Sequence, residues 1–310
     1  MATRKTRAAT LSIVSNAALI VLKIVAGLVT GSISLIAEAI HSLMDLAAAI
    51  VAFFSVRISD KPADREHPFG HGKAENISGV VEAILIFIAA GIIVYQAITR
   101  IIHGETLELL DIGIGIMAVS IVVNIVVSRY LYKVSRETDS LALEADAAHH
   151  NTDVFTMAGV FLGLVIVRVG HLFNTNLNIL DPIVAILVSL LVIKTAYDLT
   201  NKSFGGLVDV KLPEEEETLI RAAIAEHFGG EVISFHRLRT RKAGSQRYID
   251  LHLVMPRKIT LEEAHKMCDH LEKDVSGKLR HTDVTIHVEP CPGDCETCHL
   301  KSCDWKETKS

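Results

Sequence analysis

Long apolar runs separated by short polar links fill the chain up to about Ala196 and then stop. Six of them, over residues 10–28, 32–55, 77–101, 112–132, 141–169 and 179–197, match the twenty or so residues that a helix needs to cross a bilayer. The pattern predicts six membrane helices. Beyond Asn201 the segments are short and of mixed polarity. A helix with an acidic start is expected over 218–227, a strand over 232–240, a turn over 242–246, a strand over 248–255, a helix over 260–280 and a strand over 283–289. This α-β-β-α-β order reads as a small sheet with helices on one face. The expected fold is a membrane α-helical bundle of six transmembrane helices (1–203), then a small α+β domain (204–290) and a Cys-rich tail (291–310).

Charge adds the sidedness. Half of the residues are hydrophobic and the formal net charge is −5, so nothing in the balance points to nucleic acid. Lysine and arginine crowd the amino terminus, the links 57–73 and 129–136, and the stretch after Lys202. The alternate links 30–31, 103–111 and 170–178 hold neither, although Arg100 and Arg168 flank two of them. By the positive-inside rule both termini, and with them the α+β domain, are expected in the cytoplasm. Arg4, Lys5 and Arg7 look like the basic start of a signal peptide, but the apolar core that follows is too long and no small-residue cleavage site succeeds it. The first run therefore reads as a helix, in which Lys23 either snorkels or faces the bundle interior.

Two of the runs carry the same polar interruption. His41 and Asp45 lie four residues apart in the second, and His149 and Asp153 four apart in the fifth. Residues at that spacing share a helix face. An aspartate at the bilayer centre costs about 2.5 to 3.5 kcal/mol on insertion scales, so two of them call for a compensating partner. One reading is a pair of buried His–Asp hydrogen bonds that fix helix packing. The repetition of order and spacing on separate helices favours the other, a divalent metal held by two imidazoles and two carboxylates. That donor set suits tetrahedral zinc, whereas calcium and magnesium prefer more oxygens. His150 points about 100° away from its neighbour His149, so it is expected in packing or in a polar contact behind the ligands. Glu38 and Glu82 are proton-path residues or pair across the bundle. In the link after the second helix, Asp64, His67 and His71 have metal-ligand spacing, and Pro68, Gly70 and Gly72 let the backbone fold around an ion. A solvated loop with incidental histidines fits the same residues.

Taken together, HxxxD in the second helix, HxxxD in the fifth and the loop PADREHPFGHGKAE (62–75) resemble the cation diffusion facilitator family, in its bacterial zinc and ferrous-iron efflux branch. The resemblance runs from the first helix to about Pro290. It implies a homodimer in the bacterial plasma (inner) membrane, each protomer exchanging a divalent metal for protons through His41, Asp45, His149 and Asp153, with a second site at Asp64, His67 and His71. Many bacterial relatives have aspartate where this chain has His41, and histidine there accompanies preference for zinc over cadmium and iron. Zinc is thus the expected substrate, with a structural or regulatory role also open; iron(II), manganese and cadmium are the alternatives. The resemblance also implies a ferredoxin-like, metallochaperone-like cytoplasmic domain that dimerises, and a charge interlock between Lys73 and Asp209.

Strand alternation in that domain puts Ile249, Leu251 and Leu253 on one face and His252 on the other. Val284, Ile286 and Val288 likewise leave His287 and Glu289 together. With His236 and His265 they match positions that bind a zinc pair in the family, although Glu289 stands where aspartate is usual. The tail carries Cys291, Cys295, Cys298, His299 and Cys303, either as a soft-metal site or as reactive thiols in a disordered end. Cys268 falls on the apolar stripe of Leu261, Ala264 and Leu271 and is expected in the core. A membrane metalloprotease would need a motif such as HExxH, which is absent, so an enzyme is not expected. A membrane metal sensor without transport is the remaining rival.

Overall fold

The computed structural model describes residues 3–30, 33–103, 111–172, 180–228 and 232–292; the side chains of Glu38 and His41 lie outside that description. The chain divides into two compact units, one up to Leu207 and one from Val208.

Six long helices make the first unit: α1 (Arg4–Thr30), α2 (Ile33–Ser59), α3 (Lys73–His103), α4 (Asp111–Thr138), α5 (Leu141–Leu172) and α6 (Leu180–Leu207). Each outruns its apolar run at one end or both, because polar residues continue the backbone hydrogen bonding past the bilayer-length core. Among the described residues, five of the six are long and apolar enough to cross a membrane. α5 is not among the five: its side chains from residue 163 to 172 lie outside the described residues, and its first four turns carry Glu144, Asp146, His149, His150 and Asp153, the candidate ligands among them.

Alanines recur where the helices meet. Ala83, Ile86 and Ala90 of α3 pack with Ala145 of α5 and with Val192, Ala196 and Leu199 of α6. Small side chains let helix backbones approach closely, the usual means of association where lipid removes the hydrophobic drive between helices. At Gly159 of α5 a Cβ would come 2.6 Å from Cγ2 of Val188. Outward, Leu187, Leu190 and Leu191 on α6 stay exposed, as lipid-facing residues should. A polar knot closes one end of the unit. Fully buried Glu75, in the first turn of α3, accepts from Lys5 Nζ at 3.0 Å, Ser59 Oγ at 2.7 Å and Ser140 Oγ at 2.7 Å, tying in α1, α2 and the start of α5.

The second unit comprises α7 (Glu214–Ala225), β1 (Ser234–Ala243), β2 (Gln246–Met255), α8 (Leu261–Lys278) and β3 (Thr282–Pro290). The sheet order is β1-β2-β3, with β1 and β2 antiparallel and β2 and β3 parallel. The strands run further into the expected turn than the sequence suggested, because Gly244 with φ of 59° lets the hairpin turn between Ala243 and Gln246. Ile249, Leu251 and Leu253 are buried against Ile220 and Ile224 of α7 and Leu271 and Val275 of α8. Cys268 is buried on α8, as expected, but Leu261 at the start of that helix is 88% exposed and does not belong to the stripe. Val288, near the end of β3, is also partly exposed. Between His236 and Arg239, β1 carries one more residue than β2 opposite it, and Arg237 takes a left-handed φ of 50° there.

Candidate metal centre

Asp45 on α2 meets His149 and Asp153, one turn apart on α5. His149 Nε2 lies 3.2 Å from Asp45 Oδ1, and one donor atom from each of the three residues lies within 4.8 Å of the others. His149 is almost fully buried and the two carboxylates partly so. Beside them a cavity of about 60 Å³ is lined by Asn16, Lys23, Ser42, Asp45, Asn124 and Asp153. That volume holds at least one water among polar partners. His41 lies one turn before Asp45 in α2; its side chain is outside the described residues.

The surroundings hold the triad. On the far side of the His149 ring, Nδ1 lies 3.5 Å from Oε2 of Glu82, which is fully buried and, among the described residues, has neither oxygen hydrogen-bonded. Of the two roles open for Glu82, the geometry gives it a place across the bundle, facing His149 from α3. His150 turns away from the triad, as its helical position requires. Its Nε2 lies 3.0 Å from Ser12 Oγ and its Nδ1 2.9 Å from Asn124 Oδ1, and Ser12 also donates to Asp146 at 3.0 Å. This network ties α1, α4 and α5 together. Asp146, Ser12 and Asn124 were legible only as polar residues interrupting apolar runs, and Lys23 faces inward, its Nζ donating to Ser42 Oγ at 2.8 Å.

In the loop, Asp64, His67 and His71 also converge. His67 Nδ1 lies 3.3 Å from Asp64 Oδ1 and His71 Nε2 3.3 Å from Oδ2, with the two rings 4.4 Å apart. Gly70, with φ of 79°, turns the chain so that both imidazoles reach one carboxylate. The His67 amide donates to that carboxylate and holds Asp64 below its usual range. Lys73, at the head of α3, donates to the Leu207 carbonyl at 3.3 Å, and Asp209 lies 3.5 Å from Arg241.

A third convergence sits on the sheet face away from α7 and α8. The register pairs His236 with His252 and His252 with His287, so the three imidazoles form a row across the strands with rings 5.2 and 4.7 Å apart. Glu289 reaches across it: Oε1 lies 2.6 Å from His252 Nδ1 and Oε2 3.2 Å from His236 Nε2. That contact with His252 draws the Glu289 carboxyl below its ordinary range. His287 Nε2 is 3.8 Å from the same carboxylate, whereas His265 on α8 is 3.8 Å from Asp269 and joins no such cluster among the described residues. Cys291 is half-buried against Ile233 and Val254. Cys295, Cys298, His299 and Cys303 lie outside the described residues.

Comparison with known proteins gives the family of the chain. Residues 9–208 match the family model of the cation efflux transmembrane domain, and residues 212–291 that of the cation efflux protein cytoplasmic domain. An uncharacterized transporter of Synechocystis sp., sll1263, is 35% identical over 282 residues, covering 91% of this chain and 89% of that protein. The cation-efflux pump FieF of Yersinia pestis is 32% identical over 289 residues, covering 93% of this chain and 94% of the pump. The solved zinc form of CzrB is 39% identical over 27% of this chain and 93% of that chain, with a TM-score of 0.26. With both domain models matched in order along nearly the whole chain, and acidic and imidazole side chains gathered inside its apolar helices, the protein belongs to the cation diffusion facilitator family, integral membrane transporters of metal cations.

Proposed function

We propose that the protein exports zinc in exchange for protons, by alternating access, through His41, Asp45, His149 and Asp153. The observation that carries this reading is the convergence of Asp45 on His149 and Asp153. Two carboxylates and an imidazole, with a second imidazole one turn away on α2, make a mixed N/O set suited to four-coordinate zinc. Only a neutral imidazole ligates, so a proton arriving at His149 competes directly with the ion, and uptake of one accompanies release of the other. The bound ion also offsets the cost of the intramembrane carboxylates, which an empty site must meet with protons.

All six helices of residues 1–203 span the bilayer in this reading, and two protomers assemble through residues 204–290 in the cytoplasm. Both termini face the cytoplasm of a bacterium, and the protein resides in its plasma membrane. The loop cluster Asp64, His67, His71 and the sheet cluster His236, His252, Glu289 bind zinc in a structural or regulatory role, with His265 and His287 as further ligands of a zinc pair at the dimer interface. Cys291, Cys295 and Cys298 add a soft-metal tail.

The test is flux in reconstituted vesicles. Zinc movement should be driven by an imposed pH gradient and should acidify or alkalinise the lumen in step. Zinc flux indifferent to the gradient would remove the exchange, and binding without any flux would leave a sensor instead.

A further inference from the structure

We propose that His227, His270 and Asp274 form a separate divalent-metal site in the second unit, taking a zinc-class ion with water as the fourth ligand. His270 and Asp274 lie one turn apart on α8 and share its face. His227 follows directly on α7, where its amide donates to the Ile224 carbonyl at 3.1 Å and so fixes its place at the helix end. His227 Nε2 stands 2.8 Å from Asp274 Oδ2, and His270 Nε2 3.8 Å from the same oxygen. The two rings are 5.4 Å apart and nearly perpendicular at 87°. One donor atom from each residue lies within 4.8 Å of the other two. Around a tetrahedral zinc with bonds near 2.0 to 2.1 Å, ligand atoms sit on the order of 3.3 Å apart, so small side-chain rotations complete the shell.

Two features favour a site over a plain hydrogen bond. His227 and Asp274 already meet at 2.8 Å, and His270, whose side chain is 63% exposed, brings to the same oxygen a second imidazole that a lone hydrogen-bonded pair does not need. Next to the cluster, Lys278 Nζ meets Glu226 Oε1 at 2.7 Å, holding the end of α7 against α8 so that the donors from the two helices stay in reach. The histidine row lies on the sheet's other face, and its residues are not shared with this cluster. An ion here fastens α7 to α8 only when metal is abundant, since the stabilisation grows with the ratio of free metal to dissociation constant. The fold would thereby register the concentration of the cargo.

The experiment is zinc counting by equilibrium dialysis on the metal-stripped, full-length protein in detergent, with thermal unfolding followed in parallel. His270→Ala should bind one zinc fewer per chain than the parent protein and should lose part of the zinc-induced rise in melting temperature. Its metal-free melting temperature should be unchanged, because His270 is exposed. His270→Cys should restore the lost equivalent. An unchanged zinc count in His270→Ala, or a deficit that His270→Cys fails to restore, overturns the site.

Discussion

His149 Nε2 stands 3.2 Å from Asp45 Oδ1, a contact that joins α5 to α2 across 104 positions of sequence. Asp153 completes the group from the same helix face. If this is where the cargo ion sits, Asp45→Asn and Asp153→Asn should each lower zinc flux in vesicles by at least about 100-fold, the upper end of what loss of a ligand's supporting partner costs. The double variant should show none. Flux retained by the double variant would place the pathway elsewhere.

Among the described residues Glu82 is buried without a hydrogen bond, which is expensive, and it faces the back of the His149 ring. Glu82→Leu, which removes both buried oxygens, should therefore raise the thermal stability of the purified protein, relieving a burial cost of about 1 to 3 kcal/mol. It should also slow transport about 10- to 100-fold by loosening the orientation of His149. A variant that gains stability and keeps full flux would make Glu82 a structural accident.

As a proposed ligand, His41 would bear on the choice of metal. Replacing an imidazole by a carboxylate, which can bind through one oxygen or two, relaxes the demand for a four-coordinate shell, so His41→Asp should admit the larger ions iron(II) or cadmium alongside zinc. Competition flux with zinc, iron, cadmium and manganese reads this directly, and an unchanged ranking would refute it.

Gly159 leaves no room for a side chain against Val188, whose β-branched rotamer cannot readily move aside. Gly159→Ala should destabilise the helical unit by about 1 to 3 kcal/mol through overpacking. Adding Val188→Ala should recover most of that loss in thermal unfolding; a double variant no better than the single would mean that the two helices do not meet there.

Thr260 and Glu263 close a reciprocal capping box at the head of α8. Thr260→Ala should cost about 1 kcal/mol. The hydrogen bond from Thr260 holds the Glu263 carboxyl below its ordinary 4.5. Its contribution is therefore fully present above that pH and lost as pH falls through the lower, folded-state value. Acid unfolding should be shallower in Glu263→Gln over that window, and identical curves would show that the cap carries no proton linkage.

Much of the architecture could be read from the order of residues. Apolar length located all six helices because a bilayer imposes a minimum span, and period-two alternation located the strands and put His252 opposite Leu251 and Leu253. The repeated His-x-x-x-Asp spacing singled out His149, Asp153 and Asp45 because helix periodicity turns spacing into a shared face. The pairing of α2 with α5 is tertiary, and no local pattern encodes it; the repeat of one motif on two helices pointed to it, and the resemblance to a family added to that. His227 was passed over for the same reason, since its partners His270 and Asp274 lie more than forty positions away. Asp146 and Asn124 went unremarked because a single polar residue in an apolar run says that it has a partner and not which one.

The extra residue in β1 makes the histidine row depend on chain length as well as on side-chain identity. His236 and Thr240 are an even number of positions apart, yet His236 faces outward while Thr240 is buried, and only the bulge at Arg237 reconciles the two. A gene that lost one codon there would still encode every candidate ligand, but His236 would turn toward the helices and leave Glu289 bridging one imidazole fewer. Deletions of this kind would offer evolution a short route to dismantle the candidate sheet cluster without touching any residue of the helical unit.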